Sequence, residues 1–202
     1  GLQAIATAKR MGAVVYATDV RPATKEQVQS LGGKFVTVDE AMEREAETEG
    51  GYAKEMPPEY FAKQKEVLSK EIQKADVAIT TALIPGKKAP TLITEDMVKT
   101  MKPGAVIVDL AGEMGGNCEV SQYGKTVTKH GVIVMAPANI VASVAGDASP
   151  LFAKNLFNFL SPHIDKESKA LKLDFEDETV KGTCVTRDGK IVNPRLTGEG
   201  GN

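Results

Sequence analysis

A chain of 202 residues with 42% hydrophobic content has the length of one generous domain and enough apolar material for a core. Its formal net charge of −2, with acids and bases interspersed, excludes the electrostatic footprint of a nucleic-acid or anionic-membrane binder. Cys118 and Cys184 have neither a CxxC spacing nor a neighbouring histidine, so reduced thiols and no metal site are expected, and no run approaches the ~20 apolar residues of a membrane helix.

Gly1-Leu2-Gln3-Ala4-Ile5-Ala6-Thr7-Ala8-Lys9-Arg10 carries a helical pattern from its first residue, followed by the strand pattern Ala13-Val14-Val15-Tyr16-Ala17-Thr18 and then Asp19. A dinucleotide-binding unit needs a strand, a glycine-rich turn, a helix whose N-terminal amides hold the pyrophosphate, and a second strand ending in an acid about 20 residues on. Gly1 therefore reads as the third glycine of a G-x-G-x-x-G motif. The earlier motif positions and the preceding strand are expected upstream, which makes the chain a fragment that binds NAD(H) weakly and is inactive by itself. Asp19 stands where a carboxylate accepts hydrogen bonds from both adenosine ribose hydroxyls, the plain alternative being a strand-end turn acid. An acid there repels a 2′-phosphate, so NAD(H) is favoured over NADP(H) although Arg21 is close by.

A helix over 24–31, stopped by Gly32-Gly33, leads to a strand over 34–38. Residues 39–58, dense in Glu and Ala and broken by Gly50-Gly51 and Pro57-Pro58, read as a long surface loop. Within it Gly51 is either the hinge of a lid that brings Tyr52 and Met56 to a ligand or part of an ordinary flexible loop. An amphipathic helix over 59–74 presents Tyr60, Phe61, Val67, Leu68 and Ile72 on one side and leads to a strand over 76–81. Thr81-Ala82-Leu83 at its carboxyl end is expected to border the adenosine side of a dinucleotide. The loop 82–90 carries Lys87 and Lys88, read as solvated charges.

Thr94 reads as an N-cap with Glu95 and Asp96 in the first helical turn, and that helix ends before Pro103-Gly104. Ala105-Val106-Ile107-Val108-Asp109-Leu110 is the clearest buried strand, running into the glycine-rich loop Ala111-Gly112-Glu113-Met114-Gly115-Gly116-Asn117. Such loops at the carboxyl ends of parallel strands are where these sheets bind ligands. Glu113 as a general base and Asn117 as a donor to a carboxamide are weaker candidates. A strand over 132–135 precedes a loop over 136–148, and Ser149 is expected to cap a helix with Pro150 at its first position. Phe152, Leu156, Phe159 and Leu160 line one face of that helix. His130 and His163 read as surface residues, and no catalytic group is persuasive.

The alternation predicts an α/β fold: a Rossmann-type doubly wound parallel sheet lacking its first strand, with a C-terminal β-hairpin. Residues 1–162 form the NAD(H)-binding domain, incomplete at its N-terminus, and 163–202 a charged linker and hairpin tail. The arms 183–186 and 191–193 flank Asp188-Gly189, a strong hairpin signal. Too short to stand alone, they are expected to pack on a second subunit as a dimerisation arm.

Gly1-Leu2-Gln3-Ala4-Ile5-Ala6-Thr7-Ala8, Ala17-Thr18-Asp19-Val20-Arg21, Gly51-Tyr52-Ala53-Lys54-Glu55-Met56, Ile79-Thr80-Thr81-Ala82-Leu83-Ile84-Pro85-Gly86 and Asp109-Leu110-Ala111 closely resemble the α subunit of the proton-translocating NAD(P) transhydrogenase family. Alanine dehydrogenase shares the Pro-Gly-x-x-Ala-Pro loop at 85–90, whereas the lid string at 52–56 and Thr186-Arg187-Asp188-Gly189 look like transhydrogenase. The resemblance implies NAD(H) binding at Gly1, Asp19, Val20, Arg21, Gly51, Gln64, Thr81, Ala82 and Leu83, with Tyr52 on a mobile loop. It further implies NADP(H) on a partner domain, direct hydride passage between the two nicotinamides, and coupling to proton movement through a transmembrane domain. A homodimer at the cytoplasmic face of a bacterial inner membrane, or on the matrix side of the mitochondrial one, goes with it. The rival readings are an alanine-dehydrogenase-like amino-acid dehydrogenase and a non-catalytic nucleotide-binding module.

Overall fold

Helix and strand patterns alternate in the structure much as in the sequence. The structure is a computed structural model that describes residues 1–44, 56–84 and 86–197. The chain divides into two compact units, Gly1–Ala138 and Asn139–Asn202; the boundary expected from sequence lay later, after 162.

The first unit opens with α1 (Leu2–Arg10), whose last turn carries Lys9 and Arg10 where cations complement the helix dipole. It continues through β1 (Tyr16–Ala17), α2 (Ala23–Ser30) and β2 (Lys34–Phe35), and β1 and β2 pair in parallel. Gly33 permits that return, because a Cβ there would stand 3.0 Å from the Val28 side chain. Both strands are shorter than the patterns over 13–18 and 34–38 suggest.

Residues 39–58 were expected as loop, but α3 (Glu40–Arg44) begins directly after Asp39. The Asp39 carboxylate accepts from the amides of Ala41 and Met42 at 3.1 Å, an N-cap that starts a run of good helix formers. After α4 (Pro58–Ile72) come β3 (Val77–Thr80), α5 (Glu95–Thr100) and β4 (Val106–Asp109). Thr94 caps α5 as expected, its hydroxyl accepting from the Met97 amide.

Two further strands, β5 (Lys125–Lys129) and β6 (Val132–Ala136), complete a four-stranded sheet of order β3-β4-β6-β5. β3, β4 and β6 are parallel; β5, which the sequence did not suggest, is an antiparallel edge. One face of this sheet is a core. Ile107, Val132 and Val134 pack there with Ile72 of α4 and Met97, Val98 and Met101 at α5. The other face carries two aligned apolar rows, Val77–Val106–Ile133 and Ile79–Val108–Met135, of which Val77, Ile79, Ile133 and Met135 are exposed. β4 is therefore buried on one face only.

In the second unit, a 3-10 turn at Ile140–Val144 leads into α6 (Ala145–Leu160), followed by a 3-10 turn at Ser161–His163. Pro150 lies inside α6 rather than at its first position. The carbonyl that its ring faces one turn back belongs to Gly146, where nothing crowds the backbone, and Ala145 and Ala148 extend the helix ahead of Ser149. His163 is buried, not a surface residue, because the turn sets it edge-on against Phe159 at 6.0 Å.

α7 (Glu178–Thr183), capped by Asp177, precedes the hairpin of β7 (Thr186–Arg187) and β8 (Lys190–Ile191), and α8 (Pro194–Thr197) follows. Asp188 and Gly189 have φ values of 51° and 75°, the mirror-image turn that two-residue hairpins favour. The α/β class, the parallel strands and the C-terminal hairpin are those expected.

Candidate functional site: the carboxyl ends of the parallel strands

Asp109 ends β4 fully buried, and the glycine-rich loop wraps around its carboxylate. One oxygen accepts from the amides of Asn117 and Cys118, each at 2.9 Å, and from the Ser121 hydroxyl at 2.6 Å. The other accepts from the Ala111 amide at 3.1 Å and the Thr80 hydroxyl at 3.3 Å. Burial by itself pushes this carboxyl up; the bonds from Ser121, Cys118, Asn117 and Ala111 outweigh it and hold the group below its ordinary 3.8. Gly116 sits at φ 80°, and a Cβ there would meet the same carboxylate oxygen at 2.7 Å, so only glycine fits. Asp109 is thus an organiser of the loop.

The loop delivers Asn117 to the end of β3. Its side-chain oxygen accepts from the Ala82 amide at 3.0 Å, and its side-chain nitrogen donates to the carbonyls of Ala82 at 2.9 Å and Pro90 at 2.8 Å. Both amide N–H groups are spent on backbone, which removes Asn117 as a donor to a carboxamide in this conformation. Glu113 lies exposed in the 3-10 turn Gly112–Met114.

Next to Ala82, Thr81 meets the start of α1: a Cβ on Gly1 would lie 3.6 Å from the Thr81 hydroxyl. Two predicted positions thus come together, and the unpaired amides of the first turn of α1 make an anion site of the kind that holds phosphates. Leu83 is exposed beside them.

The second group of predicted residues follows β1. Arg21 grips Asp19 through its guanidinium, Nε to one oxygen at 3.0 Å and Nη2 to the other at 2.8 Å, while its backbone amide adds a third bond at 3.0 Å. The carboxylate is oriented and still has lone pairs to accept from a diol. Val20 packs against the buried pair Met56 and Tyr60.

Tyr60 donates its hydroxyl to Glu43 at 3.2 Å, and Glu43 also accepts from the Val38 amide at 2.9 Å, which ties α4 to the segment after β2. Burial, then the Glu43 carboxylate, pushes the Tyr60 phenol well up, with smaller contributions from Asp19 and Asp39. Gln64, one turn further along α4, is buried on the same side. Gly51 and Tyr52 lie outside the described residues.

Two features escaped the sequence reading. Thr18, between β1 and Asp19, has a buried hydroxyl without a hydrogen-bond partner. Asn117 is a backbone clasp, which no spacing signals. The acceptor carboxylate, the orphaned Thr18 hydroxyl and the first amides of α1 are a donor and acceptor set that fits an adenosine ribose and a pyrophosphate. No cluster of three metal-ligating side chains occurs among the described residues.

A family described as alanine dehydrogenase/PNT, C-terminal domain, matches residues 1–194. The chain belongs to this family. Within the alanine dehydrogenase/PNT family, the chain is 67% identical over 200 residues to the first of the separately encoded parts of the NAD(P) transhydrogenase alpha subunit of Rhodospirillum rubrum, covering 99% of this chain and 52% of that protein. The protein of the same description from Rickettsia prowazekii is 48% identical, covering 96% of this chain and 49% of its own length. The crystal structure of transhydrogenase from Sinorhizobium meliloti superposes with a TM-score of 0.77 at 47% identity, covering 95% of this chain and 49% of that one. An L-alanine dehydrogenase at 19% identity and a TM-score of 0.72, covering 98% of this chain and 49% of that one, shares the fold. The chain spans about half the length of the relatives it matches.

Proposed function

We propose that this chain is the NAD(H)-binding part of a proton-translocating transhydrogenase, in which hydride passes between NAD(H) held here and NADP(H) held on a partner domain. The observation that carries the reading is the pairing of Gly1 with Thr81 beside an Arg21-oriented Asp19, all at the carboxyl ends of parallel strands. The high identity to transhydrogenase α subunits supports it.

Bound NADH supplies the hydride. Asp19 accepts from the adenosine ribose, Arg21 holds Asp19 in place, and Val20 and Gln64 line the same region. Gly1 leaves room for the pyrophosphate at α1, and Thr81, Ala82 and Leu83 border the adenosine half. Gly51 and Tyr52 complete the set through the family resemblance. No side chain is assigned as acid or base, because hydride passage between two nicotinamides needs juxtaposition and exclusion of water.

The partners proposed with it are the NADP(H) domain and the transmembrane domain of the same enzyme, in a homodimer. The location is the cytoplasmic face of a bacterial inner membrane or the mitochondrial matrix side. No helix among the described residues is long and apolar enough to cross a membrane.

In the assembled enzyme, Asp19→Ala is expected to weaken NADH by about 1–3 kcal/mol, the order for losing hydrogen bonds to a charged group, and to lower the preference for NADH over NADPH. Calorimetry measures both, and an unchanged affinity would reduce Asp19 to a turn residue.

A further inference from the structure

Asn117 is fully buried and bonds to three points of the segment that follows β3. One amide pairs with both backbone polar groups of Ala82, which fixes the orientation of the peptide groups on either side of it. Its remaining N–H reaches Pro90, so one side chain joins the two ends of the loop 82–90. The backbone carbonyl of Asn117 also accepts from the amides of Leu92 at 2.8 Å and Ile93 at 3.0 Å, which continues the seam past the loop. Asn117 is in turn anchored through its own amide by the buried Asp109 carboxylate. An unbroken run of hydrogen bonds therefore leads from the end of β4 to Ala82, whose neighbour Thr81 faces Gly1.

We propose that Asn117 is a positioning residue for the dinucleotide, a clasp that shuts the neck of the 82–90 loop and sets the height of the Thr81-Ala82-Leu83 backbone over the start of α1. The proposal rests on the reading of Thr81, Ala82 and Leu83 as the adenosine border. The chemistry is specific to asparagine. Aspartate would keep the acceptor for the Ala82 amide but turn a carboxylate oxygen towards two carbonyl oxygens. Glutamine adds a methylene in a site with no room, and serine offers one donor where two are used.

The test compares Asn117→Asp and the smaller, uncharged Asn117→Ser with the wild type in the assembled enzyme; the serine variant carries the test where the aspartate variant does not fold. Both are expected to raise the Kd for NADH, and for ADP-ribose as an adenosine-side probe, about tenfold. The maximal rate at saturating NADH should stay within about twofold, and the Ala82 amide should exchange its hydrogen faster. The core variant Ile107→Val, which loosens the same sheet, should leave both Kd values unchanged. Faster exchange at Ala82 with wild-type NADH affinity, while Asp19→Ala still weakens binding, overturns the clasp alone. If Asp19→Ala also binds like wild type, the dinucleotide placement falls and the clasp falls with it.

Discussion

Asp109 shows how much one buried side chain decides in this chain. Three backbone amides and two hydroxyls converge on its carboxylate, and without it the amides of Ala111, Asn117 and Cys118 would be left unpaired in the interior. Because its folded pKa lies below the ordinary 3.8, its stabilisation is fully present above that value and is lost as pH falls through the folded pKa. Asp109→Asn is therefore expected to cost about 2–4 kcal/mol at neutral pH and to make stability fall less steeply below about pH 4 than in the wild type. Urea unfolding across that range measures both, and parallel pH profiles for the two proteins would contradict the assignment. The sequence made this position legible as the end of a buried strand running into glycines, the right place for a site. It could not show that Asn117 spends its donors on Ala82 and Pro90, because those partners are far away in the chain and the pairing depends on how the loop wraps Asp109.

At the scale of elements, what was legible depended on how local the controlling physics is. Helices α1, α2, α4 and α5 were readable from apolar spacing and caps, and the β7–β8 hairpin from Asp188-Gly189, whose positive φ angles this turn requires. β5 escaped because Lys125-Thr126-Val127-Thr128-Lys129 is polar, with only Val127 half-buried. Its turn uses His130 at φ 53° before Gly131 at φ 80°, where asparagine or aspartate is the usual signal. α3 was hidden by the charge of its surroundings, although Asp39 is an ordinary cap.

The hairpin also carries a proposal of its own. β7 and β8 contribute two residues each and leave Val185, Ile191 and Val192 exposed, and a two-stranded hairpin of that length is marginal in water. Packing as an arm on a second subunit is the proposed remedy, since a symmetric pair of arms covers both at once. Deleting residues 183–193 should convert dimer to monomer in sedimentation with NADH affinity little changed. A dimer that persists after the deletion would refute the arm.

For the whole molecule, the parallel strands set the layout. Strand ends gather the ribose carboxylate, the start of α1 and the Ala82 segment, and the sheet face opposite the α4–α5 core presents the rows through Val77 and Ile79. Parallel sheets are ordinarily covered on both faces, so this half-covered sheet accords with a chain that spans about half the length of its relatives. The α/β class and the binding edge were legible because βα alternation and strand-end acids are local patterns. The division at Ala138 was not, because α6 reads as the closing helix of the preceding domain. The central claim, that the nucleotide bound here exchanges hydride with a second nucleotide, is tested most directly by isotope transfer in the assembled enzyme. With NADH deuterated on the transferable position of the nicotinamide and NADP⁺ as acceptor, the account predicts that the label appears on NADPH without loss to solvent. Label released to water, or NADH oxidised only when pyruvate and ammonium are supplied, would contradict it.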